Sequence, residues 1–349
     1  MPLIGAVVVH YSRPDLTDTC VESLLREVSH CARSGQNVEI VVVDNSGTYR
    51  RPVADSRGRL RIIRPRSNLG YAGGIALGTT ALRDADYYFL LNNDVEVLRG
   101  TICALLRAHE YLPNVGALQP LVLNQDGSCC DSIGSTASPF LYGYGYYDSW
   151  LGRIRSVSVG ELKALEVFGV DGMAIFVSGA NWRRYGWDPE FFMFNEDGLL
   201  TLRLKLAGLS NYVVLDAKVK HLRGASAEGR GLKRNPIFPS YYITRNRWLS
   251  MLYLYSASEL LEYLPLSVLF ELAKSIYLSA HLKRPLHSYY SIMALWYILK
   301  EGHRIRRLRR SMVARRKVTV QELVRSGGMI PAGKGIGKIV HDLISGGPK

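Results

Sequence analysis

Four short apolar runs, separated by helical patterns, occupy the first hundred residues and constrain the fold of this chain more than any other feature. Runs of this length with few polar residues are typical of strands buried on both faces, as in a parallel sheet. After the first run, Pro14 and Asp15 mark a helix start, and apolar residues recur every fourth position from Leu16 to Val28. A Gly- and Ala-rich helical pattern precedes the last run. The sequence therefore predicts an α/β fold with a mostly parallel sheet flanked by helices. The runs are "IGAVVVHY" (4–11), "EIVVVD" (39–44), "LRIIRP" (60–65) and "YYFLLNND" (87–94).

Length and composition set the domain organisation that we expect. A chain of 349 residues, 47% of them hydrophobic, has ample material for a large core. We expect a globular α/β domain over residues 1–235 and a helical region over residues 236–349. The first residues already have a strand pattern, so we expect no N-terminal targeting segment. The five cysteines are odd in number and lack metal-ligand spacing, which favours a reducing compartment and predicts a cytoplasmic protein.

The positive charge is concentrated near the C-terminus. Of a net charge of +14, residues 300–317 contribute +8, through nine Lys or Arg against Glu301. Upstream, a Leu- and Tyr-rich stretch is interrupted by Glu259 and Glu271 before any uncharged run reaches the roughly 18–20 residues of a spanning helix. This pattern is typical of amphipathic helices that lie on the inner, anionic face of a membrane. The alternatives are a helical subdomain with a solvated basic end, or packing against a second copy. No nucleic-acid reader motif is present.

The last apolar run ends on three polar side chains, Asn92, Asn93 and Asp94. Ligands of an open parallel sheet lie beyond the carboxyl ends of its strands. Mg²⁺ and Mn²⁺ take oxygen ligands, and Mg²⁺ is commonly held by one or two carboxylates together with substrate phosphates. Asp94 is therefore a candidate ligand of a divalent metal. A polar turn after the strand is the alternative.

Two other segments near strand ends suggest a nucleotide site. Asp44 closes the second strand, where its carboxylate can accept a hydrogen bond from a base N–H or a ribose hydroxyl; an Asx turn is the alternative. In "SNLGYAGGIALG", Asn68 and Gly70 begin a loop-to-helix junction whose backbone N–H groups could approach a diphosphate. Glycines with this spacing also occur where a helix packs closely on a sheet.

Candidate catalytic groups come later in the chain. Glu196 and Asp197 head a predicted helix, where a carboxylate can act as a general base. Charge pairing with the helix dipole is the alternative. His221 follows an alternating strand pattern, "YVVLDAKVKH", and is a candidate for binding metal or phosphate, although single histidines are usually structural.

Taken in order, "VVVHYSRPDL", "VVVDNSGT", "NLGYAGG", "FLLNNDV", "GWDPEFFMFNED" and "VKHLRGAS" resemble the motifs of an inverting family 2 glycosyltransferase with the GT-A fold, closest to its rhamnosyltransferase-like branch. This resemblance implies a Rossmann-like sheet and a metal held by Asp94 with His221 beside the diphosphate. It also implies that Asp197 is the catalytic base, with Glu196 beside it. The implied donor-binding residues are His10, Tyr11, Asp44, Asn68, Gly70, Asn92 and Asn93.

The resemblance also implies substrates and a cellular setting. The donor would be a dTDP-, UDP- or GDP-linked sugar, and the cofactor Mg²⁺ or Mn²⁺. The acceptor would be a glycan or a polyprenyl-linked sugar at the membrane surface, in the biosynthesis of a cell-surface polysaccharide. Ser12, Ile75, Ala76 and Leu199 depart from the family pattern. A nucleotide-binding scaffold without transfer activity and a sugar nucleotidyltransferase are the alternative functions.

Overall fold

The structure is a computed structural model that describes residues 1–32, 35–50, 59–145, 155–222, 237–281, 289–335 and 337. The N-terminal part contains the strands and helices that the sequence predicts: β1 (Leu3–His10), α1 (Pro14–Ala32), β2 (Asn37–Asp44), β3 (Leu60–Ile63), α2 (Gly70–Ala81) and β4 (Tyr87–Asn92). β1 lies between β2 and β4, all three are parallel, and β3 continues the parallel order beyond β2. Successive side chains along β1 point to opposite faces, so that Val7 and Val8 lie in separate hydrophobic clusters. Burial on both faces explains why these strands are almost uniformly apolar.

The second half of the sheet is mixed. The strand order of the whole sheet is β10-β11-β13-β6-β12-β4-β1-β2-β3, with β5 paired to β13 and β7 paired to β6. β8 and β9 form a separate hairpin. β12 runs antiparallel between β4 and β6, and β13 is parallel to β6. The alternating pattern before His221 correctly predicts β13. The further strands are β5 (Val95–Val97), β6 (Val115–Leu123), β7 (Cys130–Ser132), β8 (Ser135–Ala137), β9 (Gly143–Gly145), β10 (Arg155–Val159), β11 (Leu162–Val167), β12 (Ala174–Ser178) and β13 (Ser210–His221).

Three helices and one short 3₁₀ turn accompany these strands. They are α3 (Thr101–Tyr111), α4 (Gly179–Tyr185), the 3₁₀ turn Pro189–Phe191 and α5 (Glu196–Leu206). α2 packs very closely on the sheet, because a Cβ at Gly78 would lie 2.3 Å from Cγ1 of Val7 and one at Gly74 would lie 2.9 Å from Cγ1 of Val9. Close helix–sheet packing, the alternative given above for the small residues of α2, therefore accounts for these two glycines.

The C-terminal part is helical, with α6 (Ile237–Leu254), α7 (Ala257–His281), α8 (Tyr289–Lys300), α9 (Gly302–Val313) and α10 (Val320–Arg325). Trp248 and Tyr253 of α6 belong to the same hydrophobic cluster as one face of the sheet. The predicted domain boundary at 235/236 lies outside the described residues, and the division into two domains remains a prediction. Among the helices that are described, none combines the length and the hydropathy required to cross a membrane.

Part of the basic segment is directed into the protein rather than outward. Arg304 binds Asp188 at 2.7 Å, and Arg316 binds Glu259 at 2.6 Å. Arg309 donates to the carbonyl of Leu252 at 2.6 Å. These arginines attach the C-terminal helices to the rest of the chain, so only part of the cluster in residues 300–317 is available to an external surface.

Candidate functional site

β1, β2 and β4 end at the same edge of the sheet, where His10 is opposite Asp44 in the strand register. His10 is completely buried, and its Nδ1 and Nε2 lie 2.6 Å and 3.4 Å from the hydroxyls of Thr17 and Thr48. Burial lowers the pKa of His10, which opposes protonation. The side chain supports the strand ends from inside, and its contact with a donor remains a prediction. Tyr11, the next residue, is 58% exposed at this edge.

Asp44 is buried and bonded within its own turn. Its carboxylate accepts hydrogen bonds from the backbone N–H groups of Ser46 at 3.2 Å and Tyr49 at 3.0 Å, and Arg64 lies 3.3 Å away. Burial raises the pKa of Asp44, but the hydrogen bonds from Tyr49 and Ser46 outweigh it, so the pKa is lowered. This is the geometry of the Asx-type turn. A ligand that bound Asp44 would share a carboxylate that already has several donors.

The loop before α2 is tied to the chain around Phe192. Asn68 accepts from the Gly70 N–H at 2.9 Å, and the Ala72 N–H donates to the Phe192 carbonyl at 2.9 Å. Gly70 has φ +69°, and a Cβ there would lie 2.2 Å from the Phe192 carbonyl oxygen, so both its conformation and its surroundings require glycine. These two N–H groups already have protein acceptors, and diphosphate binding at this junction remains a prediction.

Asn92 and Asn93 have different surroundings. The backbone N–H of Asn92 donates to the Met173 carbonyl at 3.0 Å, which joins β4 to the loop before β12. Asn93 is buried, and its amide donates to the Thr17 hydroxyl at 2.9 Å at the start of α1. Asn93 thus has a structural contact in this conformation.

Asp94 lies beside His221, although 126 residues separate them in the chain. The antiparallel pairing of β5 with β13 places Val95 opposite His221, which brings the Asp94 Oδ2 to 3.3 Å from His221 Nε2. On the other side of the ring, His221 Nδ1 lies 2.7 Å from Oδ2 of Asp131. An ionised carboxylate only accepts, so Nδ1 is the protonated nitrogen in this contact. Asp131, on β7, was missed because nothing in the sequence around it indicates this contact.

Glu196 and Asp197 begin α5, as predicted. Glu196 is buried and Asp197 is partly buried. Burial, followed by the charge of Asp197, raises the pKa of Glu196 to about 8. Within the described part of the chain, Glu196 Oε2 has no hydrogen-bond partner. Asp197 accepts from the N–H groups of Gly172 at 2.8 Å and Gly198 at 2.7 Å. Burial raises the pKa of Asp197, and these two hydrogen bonds oppose the effect.

Tyr71 connects the two ends of the predicted site. Its hydroxyl donates at 2.8 Å to the carbonyl of Gly172, the residue whose N–H binds Asp197. Burial raises the pKa of Tyr71, and the nearby charges of Glu196, Asp197 and Asp94 raise it further. The loop before β12 relates Asp94 to Asp197 in space, because Met173 binds Asn92, two residues before Asp94, and the neighbouring Gly172 binds Asp197. Tyr71 was not identified from the sequence, where it is one residue of a Gly-rich helix.

A cavity of about 290 Å³ adjoins Asp197. Its wall is mainly apolar, with hydroxyl, amide and carboxylate groups contributed by the β8–β9 hairpin, the loop before β12, α5 and α6. Asp171 lies in this wall, bonded to Ser132, and burial raises its pKa to about 6. This size is at the small end of the range for small-molecule sites. The polar lining residues are Ser135, Thr136, Asp171, Asn195, Asp197, Thr201, Arg247 and Ser250.

Residues 6–129, which run from within β1 to beyond β6 and include Asp94, match the family model described as Glycosyl transferase family 2. This part of the chain is similar to glycosyl transferase family 2. The chain is 29% identical over 211 residues to N-acetylglucosaminyl-diphospho-decaprenol L-rhamnosyltransferase of Mycobacterium tuberculosis, in strains CDC 1551 / Oshkosh and ATCC 25618 / H37Rv. The similarity covers 54% of this chain and 68% of each relative.

Among solved structures, GalNAc-T7 with UDP, GalNAc and Mn²⁺ resembles this chain with a TM-score of 0.54 at 12% sequence identity. The match covers 73% of this chain and 48% of the GalNAc-T7 chain, so this chain spans about half the length of that protein. At such low identity the likeness concerns the fold, which is GT-A as expected.

Proposed function

We propose that this chain moves a sugar from a nucleotide-diphosphate donor to a hydroxyl of an acceptor, with inversion at the anomeric carbon. One observation supports the proposal most directly: the loop before β12 binds both Asn92, two residues before Asp94, and Asp197, and Asp197 also lines the adjacent cavity. A donor held near Asp94 and an acceptor held in the cavity would meet beside Asp197.

Asp197 is proposed as the general base. As the acceptor oxygen attacks the anomeric carbon, its proton passes to a carboxylate oxygen of Asp197, and the bond to the diphosphate breaks on the opposite face. The two backbone N–H groups that bind Asp197 favour its charged form, whereas Glu196, with a pKa of about 8, is mostly protonated at neutral pH. This difference assigns the base to Asp197 and leaves Glu196 as a neutral neighbour.

Asp94 and His221 are proposed to hold Mn²⁺ or Mg²⁺. His221 Nδ1 lies 2.7 Å from Asp131, and Nε2 lies 3.3 Å from the carboxylate of Asp94. Nε2 and the Asp94 carboxylate would both bind the ion, and a carboxylate that orients a ligating histidine is a common feature of metal sites. In the described ranges, no three His, Cys, Asp or Glu side chains are arranged to hold an ion by themselves. This is consistent with a shell completed by substrate phosphate oxygens and water. A bound ion would neutralise charge on the departing diphosphate.

The donor, we propose, is a dTDP-, UDP- or GDP-linked sugar bound at the edge formed by the ends of β1, β2 and β4. Tyr11 and Asn68 are exposed candidates, whereas Asp44 and Gly70 are buried. The Gly70 carbonyl accepts at 2.8 Å from the amide of Asn45, the residue after Asp44. His10 and Asn93 are buried and would act by supporting the strand ends.

The acceptor is proposed to be a glycan or a polyprenyl-diphosphate-linked sugar. The mycobacterial relatives are named for an N-acetylglucosaminyl-diphospho-decaprenol acceptor, and the mainly apolar cavity beside Asp197 also carries the hydroxyl and carboxylate groups that could bind one sugar ring. A lipid-linked acceptor would place the enzyme on the cytoplasmic face of the cell membrane, in the synthesis of a cell-surface polysaccharide.

The test begins with thermal shifts of the full chain in dTDP, UDP and GDP, each with and without Mn²⁺, because a ligand of the folded state raises the melting temperature. The sugar nucleotides of the stabilising base are then assayed with an N-acetylglucosaminyl-diphospho-lipid acceptor, and the anomeric configuration of the product is determined. Asp197→Asn should abolish transfer while keeping the thermal shift, and Asp84→Asn, an exposed control, should change neither. Transfer by Asp197→Asn at the parent rate would refute the base assignment. Binding without transfer or hydrolysis across the panel would favour a nucleotide-binding scaffold.

A further inference from the structure

α7 is amphipathic in the reverse of the usual sense. Its side toward the protein carries Ser267, Glu271 and Ser275, all buried. Leu266, Leu269 and Ile276, on its outward side, are 53%, 63% and 61% exposed. A helix on a protein surface in water normally places its apolar side inward and its polar side outward.

The inward polar groups of α7 have specific partners, so the orientation of the helix is well determined. Glu271 binds Arg247 at 2.6 Å and Lys274 at 3.0 Å, and it accepts from the hydroxyl of Tyr290 at 2.8 Å. Trp248 Nε1 donates to the Ser267 hydroxyl at 3.1 Å. Rotating α7 to bury its leucines would leave the Glu271 and Arg247 charges unpaired, which costs far more than exposing apolar side chains.

α8 extends the same apolar surface. Tyr290, Ser291 and Ala294 are buried on its inner side, and Ile292, Trp296 and Leu299 are exposed on the other. Single exposed apolar residues are ordinary, but a set of them on two helices that contact each other marks a surface that contacts something apolar. We define the apolar face as Leu261, Leu266, Leu269, Ile276 and Tyr277 of α7 with Tyr289, Ile292, Trp296 and Leu299 of α8.

Charge at the border of the apolar face distinguishes a membrane from a second copy of this chain. The exposed charged side chains of α8 and α9 are all basic: Lys300, Arg306, Arg307 and Arg310. On α7, Glu262 is an exposed acid beside Leu261. Lys300 adjoins the apolar face directly, with its Nζ 5.3 Å from the Trp296 ring. Around a two-fold axis the same surface meets itself, so these cations would approach one another, whereas anionic lipid headgroups would neutralise them. Tyr and Trp at the border are also typical of the membrane–water interface.

We propose that the apolar face of α7 and α8 lies in the headgroup region of an anionic membrane, with the exposed arginines of α9 binding lipid phosphates. This deepens the proposed membrane location and rests on it for the biological setting. The sequence analysis predicted amphipathic helices with a basic cluster on an anionic membrane, without separate roles for the two features. Here the apolar face attaches the protein to the membrane, and the arginines provide the preference for anionic lipids. The helices would lie in the plane of the interface without crossing the bilayer.

The experiment is flotation of the full chain with vesicles of phosphatidylcholine alone, or with a third of phosphatidylglycerol. The parent should float with both and bind the anionic vesicles more strongly. Leu269→Gln/Ile276→Gln/Trp296→Gln should weaken binding to both at least ~10-fold, since each side chain loses its apolar burial. Arg306→Gln/Arg307→Gln/Arg310→Gln should remove the preference for anionic vesicles, about fivefold for each charge that reaches a headgroup. Tyr111→Gln, also a substitution of an exposed aromatic but on α3, should bind like the parent.

Two further measurements keep the proposal open to refutation. Circular dichroism melts should show all variants folded, because the substituted side chains are mostly exposed. Vesicles should shift the tryptophan emission of the parent to shorter wavelength, and Trp296→Gln should lose that shift. A parent that fails to float, or an apolar triple variant that floats like the parent, overturns the proposal. So does a parent dimer in solution that the triple variant dissociates, since the face would then be a protein interface. None of these results involves donor or acceptor, so the transferase proposal would stand or fall separately.

Discussion

Replacing Glu196 by glutamine should change how the stability of the enzyme depends on pH. The folded protein raises the pKa of this buried carboxyl from 4.5 to about 8. Between these values the folded state keeps a proton that the unfolded state releases, so stability falls as pH rises across the interval. One pKa unit corresponds to about 1.4 kcal/mol, which sets an upper limit of roughly 5 kcal/mol for the whole interval. We expect ~2–5 kcal/mol in practice.

The assay is urea denaturation at pH 5, 7 and 8.5 in the presence of EDTA. Glutamine has the shape of the protonated acid and cannot ionise, so Glu196→Gln should match the parent near pH 5 and exceed its stability progressively toward pH 8.5. Glu161→Gln, an exposed control in the turn between β10 and β11, should follow the parent throughout. A constant difference between Glu196→Gln and the parent from pH 5 to 8.5 would refute the burial and electrostatics assigned to this carboxyl.

Three other outcomes are expected. Asp197→Asn should lower kcat by ~10²–10⁴ with little change in donor affinity, as measured by steady-state kinetics and calorimetry, because a general base contributes about that factor. Asp131→Asn should weaken Mn²⁺ activation ~10–100-fold in a manganese titration of donor turnover, since His221 loses the partner that orients its ring. Gly78→Ala should destabilise the fold by ~1–3 kcal/mol in urea denaturation, because the new Cβ would overlap Val7; unchanged stability would show that α2 can shift away from the sheet.

The sequence alone predicted the parallel half of the sheet and its helices, because that information is local. An apolar run such as β2 or β4 indicates a strand that is buried on both faces. Apolar residues at every fourth position of α1 indicate a helix with one buried side. It also predicted which strand ends carry polar groups, since each lies directly after its strand. The antiparallel insertion of β12 between β4 and β6 is not local, because pairing partners are chosen by the whole sheet.

The candidate site divides in the same way. Asp94, Asp197 and His221 were identified from short motifs, and their roles remain predictions. Their spatial relation depends on β5 pairing with β13 and on the loop before β12 that joins Asn92 to Gly172 and Asp197. Asp131 and Tyr71 have no local pattern that indicates a site, because each acts through a neighbour distant in the chain.

The C-terminal helices show most clearly what the sequence determined and what the tertiary structure decided. The sequence indicated that these helices are amphipathic, but it did not indicate which side of α7 faces the protein. Arg247 on α6 decided the matter, since the buried ion pair with Glu271 turns the polar side inward and leaves the leucines exposed. Leaving a buried charge without its partner costs more free energy than exposing a leucine to water. Arg247 and Glu271 are brought together only in the folded chain.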